Sequence, residues 1–186
     1  MSITDDNALM HAFARGQTDA FDRLYDRYRA PLLRFYRRQT GSAETAEELL
    51  QEAFMRLIRT RDSFPHDTPF RLYFWRLARN LLIDHYRRQH RSLPASYGDF
   101  HPEQVAADER VQPDREACCG QQVNRLLQLI SELPTAQREA FLLREETGMG
   151  LEEIAQLTDS SRETVKSRLR YAVGKLRQGM EEFTRE

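Results

Sequence analysis

Apolar residues recur along this chain at intervals of three and four, the spacing of helices that each bury one face. Phe21, Leu24, Tyr25, Tyr28, Leu32 and Phe35 predict helix over residues 7–38. Pro31 should bend or interrupt it, since proline lacks an N–H and crowds the preceding turn. Gly41 breaks the chain next. Ala46, Leu49, Leu50, Ala53, Phe54, Leu57 and Ile58 form the stripe of an amphipathic helix from Glu44 to Thr60. Its acids come early and its arginines late, which complements the helix dipole. Thr45 and Glu48 have capping-box spacing. Pro65, Asp67 and Pro69 mark a loop from Arg61 to Pro69. Thr68 and Pro69 then suit the opening of a helix that runs to about Arg91. This helix carries Phe70, Tyr73, Phe74, Trp75 and Tyr86 between arginines.

The periodicity fails from Ser92 to about Gly120, where Pro94, Gly98, Pro102 and Pro113 stand among many acids. It resumes near Gln121. Val123, Leu126, Leu127 and Ile130 make a short apolar face, and Leu133-Pro134 closes that helix. Helices follow over Thr135 to Glu146 and Leu151 to Thr158, with Leu151, Ile154, Ala155 and Thr158 facing inward. After a tight connection at Asp159 to Ser161 comes a last helix, with Ser160 and Glu163 at capping-box spacing. Its buried stripe is Val165, Leu169, Ala172, Val173, Leu176 and Met180. The fold expected is all-α: two small helical domains, 1–91 and 121–186, joined by a flexible acidic linker over 92–120, with a helix-turn-helix in the C-terminal domain.

Composition supports this division. The 186 residues are enough for two small domains, and 40% hydrophobic residues supply a core for each. Eight glycines and seven prolines are too few for a turn-dense β fold. No apolar run approaches the ~20 residues that span a bilayer, and Met1 to Asp6 is polar and acidic. Neither membrane insertion nor a signal peptide is therefore expected, and the expected location is cytoplasmic. The adjacent pair Cys118 and Cys119 reads as two reduced thiols in the linker, because neighbouring cysteines make a strained disulfide.

The net charge of -1 hides segregation. Residues 70–91 carry +5 and residues 162–177 carry +5, while residues 97–117 carry -4. Two basic segments around an acidic connector suggest two surfaces for one polyanion. In the C-terminal pair of short helices the first would brace the second in the major groove. Thr164 to Arg177 is the helix expected to enter it. Ser161, Arg162, Thr164, Lys166, Ser167, Arg168 and Arg170 lie off its apolar stripe. Arg can pair bidentately with guanine, and Lys and Ser can hold phosphates. The same pattern also fits the solvated basic face of an ordinary helical hairpin. Rings interleaved with guanidiniums over residues 70–91 suit single-stranded nucleic acid, although a helix so apolar must bury most of its rings. The acidic face at Glu47, Glu48, Gln51 and Glu52 fits a basic partner or plain solvent. No phosphate-binding loop, His-Glu-x-x-His or Gly-x-Ser-x-Gly occurs. His11, His66, His85, His90 and His101 lack metal-ligand spacing. No catalytic residue, metal or cofactor is expected.

Taken in order, these segments resemble bacterial RNA polymerase sigma factors of the sigma-70 family, in the small extracytoplasmic-function (ECF) group. Ala46 to Phe54 resembles region 2.2. Ala78-Arg79-Asn80 followed by Ile83 to Arg88 resembles the promoter -10 segment. Leu133-Pro134 with Gln137 to Phe141 resembles the opening of region 4, and Glu152 to Ala155 with Thr164 to Leu169 resembles its helix-turn-helix. Tyr73 stands where the family often has Trp, and Asp159 where it often has Gly.

The resemblance implies a sigma factor that binds core RNA polymerase, directs promoter-specific initiation and helps melt the -10 region. Glu47, Glu48, Leu49, Gln51, Glu52 and Phe54 would dock on the polymerase β′ coiled coil, with a further contact to the β flap. Tyr73, Arg76, Arg79, Asn80, Asp84, Arg87 and Arg88 would engage the -10 element, together with the loop from Arg61 to Pro69. The residues at 161–170 named above would read the -35 element. Promoter DNA, core polymerase and an anti-sigma factor are the implied partners. The rival readings are a stand-alone helix-turn-helix regulator, which needs no docking helix, and an adaptor whose basic helices bind acidic proteins. An enzyme acting on nucleic acid ranks last.

Overall fold

The computed structural model describes residues 5–65, 67–89 and 120–185. The chain divides into two compact units, Met1–Tyr36 with Glu44–Ala95 and Arg37–Ala43 with Ser96–Glu186. Every regular element among the described residues is helical. His66, His90, His101, Cys118, Cys119, and the linker expected over 92–120 up to residue 119, lie outside the described residues.

The first unit is built on α1 (Asp6–Ala14), α2 (Thr18–Thr40), α3 (Ala43–Arg59) and α4 (Phe70–Gln89). The expected single helix over 7–38 is broken, but at a different place. Gly16 takes φ +91, a left-handed conformation that glycine adopts freely, and it separates α1 from α2. Pro31 sits inside an uninterrupted α2. Leu24, Tyr28, Leu32, Phe35 and Tyr36 are all buried on that helix. Each such side chain contributes about 1.5–3 kcal/mol, which together outweighs the ~3 kcal/mol of an interior proline.

Rings make this unit's core. Phe35 meets Trp75 edge-on at 5.3 Å. Tyr28 stands edge-on to Phe70 and Phe74, each at 5.3 Å, and Phe54 packs on Phe74 at 5.2 Å. The buried Tyr36 hydroxyl donates to the Ala78 carbonyl at 2.9 Å, and burial pushes its pKa well above the ordinary phenol value. Helix α3 begins at Ala43, so Thr45 lies within it and is not its cap. The segment before α4 contains a 3-10 turn at Arg61–Ser63, and Pro69 precedes α4 rather than opening it.

The second unit contains α5 (Gly120–Ser131), α6 (Thr135–Thr147), α7 (Leu151–Thr158) and α8 (Arg162–Arg185). Helix α8 is the spine and packs against the other three. Its core is mostly aliphatic: Leu142, Leu143, Met149, Ile154, Leu157, Val165, Ala172 and Leu176 are buried. Two sequence expectations change here. Val123 is 53% exposed and Leu126 is exposed as well, because α5 meets α8 through its last turn. There Leu129 presses on Gly179, where a Cβ would lie 2.4 Å from a Leu129 methyl. Val173 is 44% exposed. It stands one residue, about 100°, beyond Ala172 on the buried ridge, and Gly179 continues that ridge instead.

Candidate functional site

In the second unit, α7 and α8 are joined by a short turn whose geometry is set locally. Asp159 adopts φ 51, ψ 41, and its N–H caps α7 on the Ala155 carbonyl. The Ser160 N–H bonds to the same carbonyl at 3.0 Å. Ser161, not Ser160, caps α8: its hydroxyl accepts the Thr164 N–H at 3.1 Å and lies 2.8 Å from the Thr164 hydroxyl. Ser160 instead meets the Thr158 hydroxyl at 2.8 Å. Glu153 is more than helix surface, since its carboxylate accepts the Gly150 N–H at 2.9 Å and caps α7.

Arg162, Lys166 and Arg170 follow one another at intervals of four and are exposed, so they form one cationic flank. Arg162 reaches back to Glu152 on α7 at 2.6 Å and to Glu163 at 3.2 Å. Lys166 meets Glu163 at 3.6 Å. Arg170 lies over the exposed Tyr171 ring at 5.0 Å. Thr164, Ser167 and Arg168 are half-buried, and Ser161 is exposed.

In the first unit, Tyr73, Arg76, Asn80, Asp84 and Arg87 follow at intervals of three and four along α4, so one ridge presents them all. Arg76, Asn80, Arg87 and Arg88 are exposed, and Tyr73 and Asp84 are half-buried. Asp84 pairs with Arg87 at 3.8 Å, and its carbonyl accepts from Arg88 at 3.2 Å. Arg79 departs from the expectation. It is 8% exposed, because it sits about 100° from Asn80 toward the core, and it belongs to the interior of α4. The rings divide similarly: Phe70, Phe74 and Trp75 are buried, while Tyr73 and Tyr86 are half-buried.

On α3, Glu47, Glu48 and Gln51 are exposed and Glu52 is half-buried, within reach of Arg56 at 3.8 Å and Arg59 at 3.7 Å. Leu49 and Phe54 are only 5% and 4% exposed. Both lie on the opposite, core-facing side, so they shape the helix rather than offer a contact. The sequence reading missed Met55. It is 46% exposed, four residues after Gln51, and puts an apolar side chain on the acidic face. Beside this face, burial and then Arg88 push the pKa of His85 down, while Glu48 pulls it the other way. No group of side chains that could hold a metal occurs among the described residues. No helix among them is long and apolar enough to cross a membrane.

Comparisons with known proteins agree with this geometry. The family description Sigma-70 region 2 matches residues 24–92, and Sigma-70, region 4 matches residues 124–176. The chain is 29% identical to the RNA polymerase sigma-H factor of Pseudomonas aeruginosa, over 88% of both proteins. It is 29% identical to the ECF sigma factor SigW of Bacillus subtilis, over 83% of this chain and 86% of SigW. The ECF sigma-E factor of Escherichia coli is 28% identical over 88% of each. Two solved structures share the fold. CnrH in complex with the cytosolic domain of CnrY has a TM-score of 0.68 at 22% identity, covering 95% of this chain and 97% of that one. The sigma factor RpoE in complex with the anti-sigma factor NepR from Bartonella quintana has a TM-score of 0.68 at 24% identity, covering 89% and 98%. With region 2 on the aromatic unit and region 4 on the helix-turn-helix unit, this chain belongs to the ECF group of the sigma-70 family.

Proposed function

We propose that this sigma factor divides promoter recognition between its two units, residues 1–91 acting as region 2 and residues 121–186 as region 4. The observation that carries the reading is the pair of separated basic ridges, each on a helix braced by its own core. On α8, Arg162, Lys166 and Arg170 hold the -35 duplex from the major groove, with Ser161, Thr164, Ser167 and Arg168 around them. On α4, Tyr73, Arg76, Asn80, Asp84, Arg87 and Arg88, with the loop from Arg61 to Pro69, engage the -10 element. Stacking and backbone contacts there offset the cost of unstacking its bases.

The α3 face of Glu47, Glu48, Gln51, Glu52 and Met55 docks on the β′ coiled coil of core polymerase. The exposed Val123, Leu126 and Val173 are the second unit's candidates for contact with the β flap. The protein works in the cytoplasm without a cofactor and makes or breaks no covalent bond. Its docking and DNA-binding faces give an anti-sigma factor two surfaces to cover. One solved structure of the same fold, RpoE, is in complex with the anti-sigma factor NepR.

Reconstitution with core polymerase tests the assignment. The wild-type chain should yield promoter-specific transcripts. The double variant Gln51→Ala with Glu52→Lys should lose polymerase binding and keep duplex binding by the second unit. Asn80→Ala should leave the closed complex intact and suppress permanganate-reactive thymines at -10. Equal loss of polymerase and duplex binding in the docking variant would sink the division of labour.

A further inference from the structure

The segment between α3 and α4 is held by α1, which comes from the far end of the unit. Asn7, in the first turn of α1, uses both ends of its amide. Its Oδ1 accepts the Phe70 N–H at 2.7 Å, and its Nδ2 donates to the Thr68 carbonyl at 3.3 Å. These two backbone groups flank Pro69. Phe70 opens α4, and the first N–H groups of a helix have no acceptor within it. A proline at the preceding position has no side-chain oxygen to cap them, so α1 supplies the cap from outside.

Two more members of α1 touch the same segment. His11 packs on the Phe64 ring at 5.4 Å, and the Arg61 guanidinium lies over Phe13 at 5.6 Å. Phe64 is buried and stands edge-on to Tyr73 at 5.1 Å and to Phe70 at 6.0 Å. At the segment's start, the Thr60 and Tyr73 hydroxyls lie 3.0 Å apart. The segment is thus fixed at its start, at its middle and at its end. Between those anchors, Asp62, Ser63, Pro65 and Asp67 remain exposed. Tyr73, the ring proposed to face the -10 element, is clamped between two of the anchors.

We infer that Asn7 is a positioning residue for single-stranded DNA capture: it sets the loop before α4 so that the exposed loop residues and Tyr73 form one preset surface for unstacked bases. A loop that had to be ordered on binding would lose affinity to conformational entropy, and the Asn7 clamp removes that loss in advance. The inference rests on the reading above that this loop and α4 engage the -10 element.

The amide's two ends can be separated. Asn7→Asp keeps an acceptor for the Phe70 N–H, and a carboxylate at a helix N-terminus is favourable. It replaces the Nδ2 donor with an oxygen that faces the Thr68 carbonyl and so releases the loop. Asn7→Ala removes both bonds. The probes are a short single-stranded oligonucleotide selected from a randomised pool on the wild-type holoenzyme, and a duplex selected in the same way. In full-length holoenzyme, Asn7→Asp should unfold at the wild-type temperature and bind core polymerase and duplex as wild type does. It should bind the single-stranded probe about fivefold or more weakly, the loss of part of one base-stacking contact. Asn7→Ala should show that loss together with a lower unfolding temperature. Wild-type affinity of Asn7→Asp for the single strand would overturn the inference and leave the proposed function standing. Parallel loss of stability and polymerase binding in Asn7→Asp would also overturn it, making Asn7 merely structural. A wild-type holoenzyme that selects no single strand would overturn the reading of the loop and the inference with it.

Discussion

The two units solve different mechanical problems with different materials. The first joins distant segments through rings: Tyr28 and Phe35 from α2 meet Phe70, Phe74 and Trp75 from α4 edge to face, and Phe54 from α3 packs tilted on Phe74. The second gathers α5, α6 and α7 on the spine helix α8 around an aliphatic core, and its turn is fixed by groups within a few residues of Asp159. A surface that captures unstacked bases must hold its shape without a duplex to template it, which favours a stiff aromatic scaffold. A helix that enters a preformed groove needs only the correct angle of presentation, and a cap with a left-handed turn is enough.

This contrast is broken most sharply at Trp75, which is 2% exposed. Trp75→Ala should cost about 3–5 kcal/mol and lower the unfolding transition of the first unit. Polymerase binding should go with it, while duplex binding by the second unit persists. Calorimetry with a duplex-binding assay checks both, and concerted loss of the two units would refute their independence. Next comes a tight helix contact in the second unit, at Gly179. Gly179→Ala should cost about 1–3 kcal/mol through overpacking against Leu129. Gly174→Ala, with open space around its Cβ, should gain about 0.5–1 kcal/mol from helix propensity. Thermal melts of the pair read the difference in sign. At the cap the effect is of similar size to that at Gly174 and opposite in sign: Ser161→Ala should cost about 1 kcal/mol and weaken duplex binding while leaving polymerase affinity unchanged, as paired binding titrations would register.

The same contrast governs what was legible in the sequence. The buried stripe of α3 and the paired helices α7 and α8 follow from spacing and residue chemistry over a few positions, and the turn at Asp159 is marked by the family's frequent Gly there. What escaped depends on distance. Pro31 looked like a break because its local cost is visible and the burial around it is not, whereas Gly16 made the real one. Leu49, Phe54 and Arg79 sit inside the segments that resemble region 2.2 and the -10 segment, and only the packing of α3 and α4 turns them inward. Val173 falls one residue past the ridge that α5 and α6 define. Asn7 carries no signal at all, since its partners lie at positions 68 and 70. Ser160 and Ser161 show the finest limit, because adjacent serines offer the same hydroxyl and only the backbone decides which one caps.

The length of α8 has a consequence for how such a protein changes its targets. At 24 residues the helix is about 36 Å long, three times the ~12 Å width of the major groove. Exposed cations run along it from Arg162, Lys166 and Arg170 to Lys175 and Arg177, while Val165, Ala172, Leu176 and Gly179 anchor it in the core along its opposite side. Exposed cations and buried anchors are therefore separate faces of one rigid rod, present along the same turns. Substitutions on the exposed face, at Arg162, Lys166 or Arg170, can change the chemistry offered to a groove without repacking the domain, whereas Val165 on the same turns cannot change without disturbing its core.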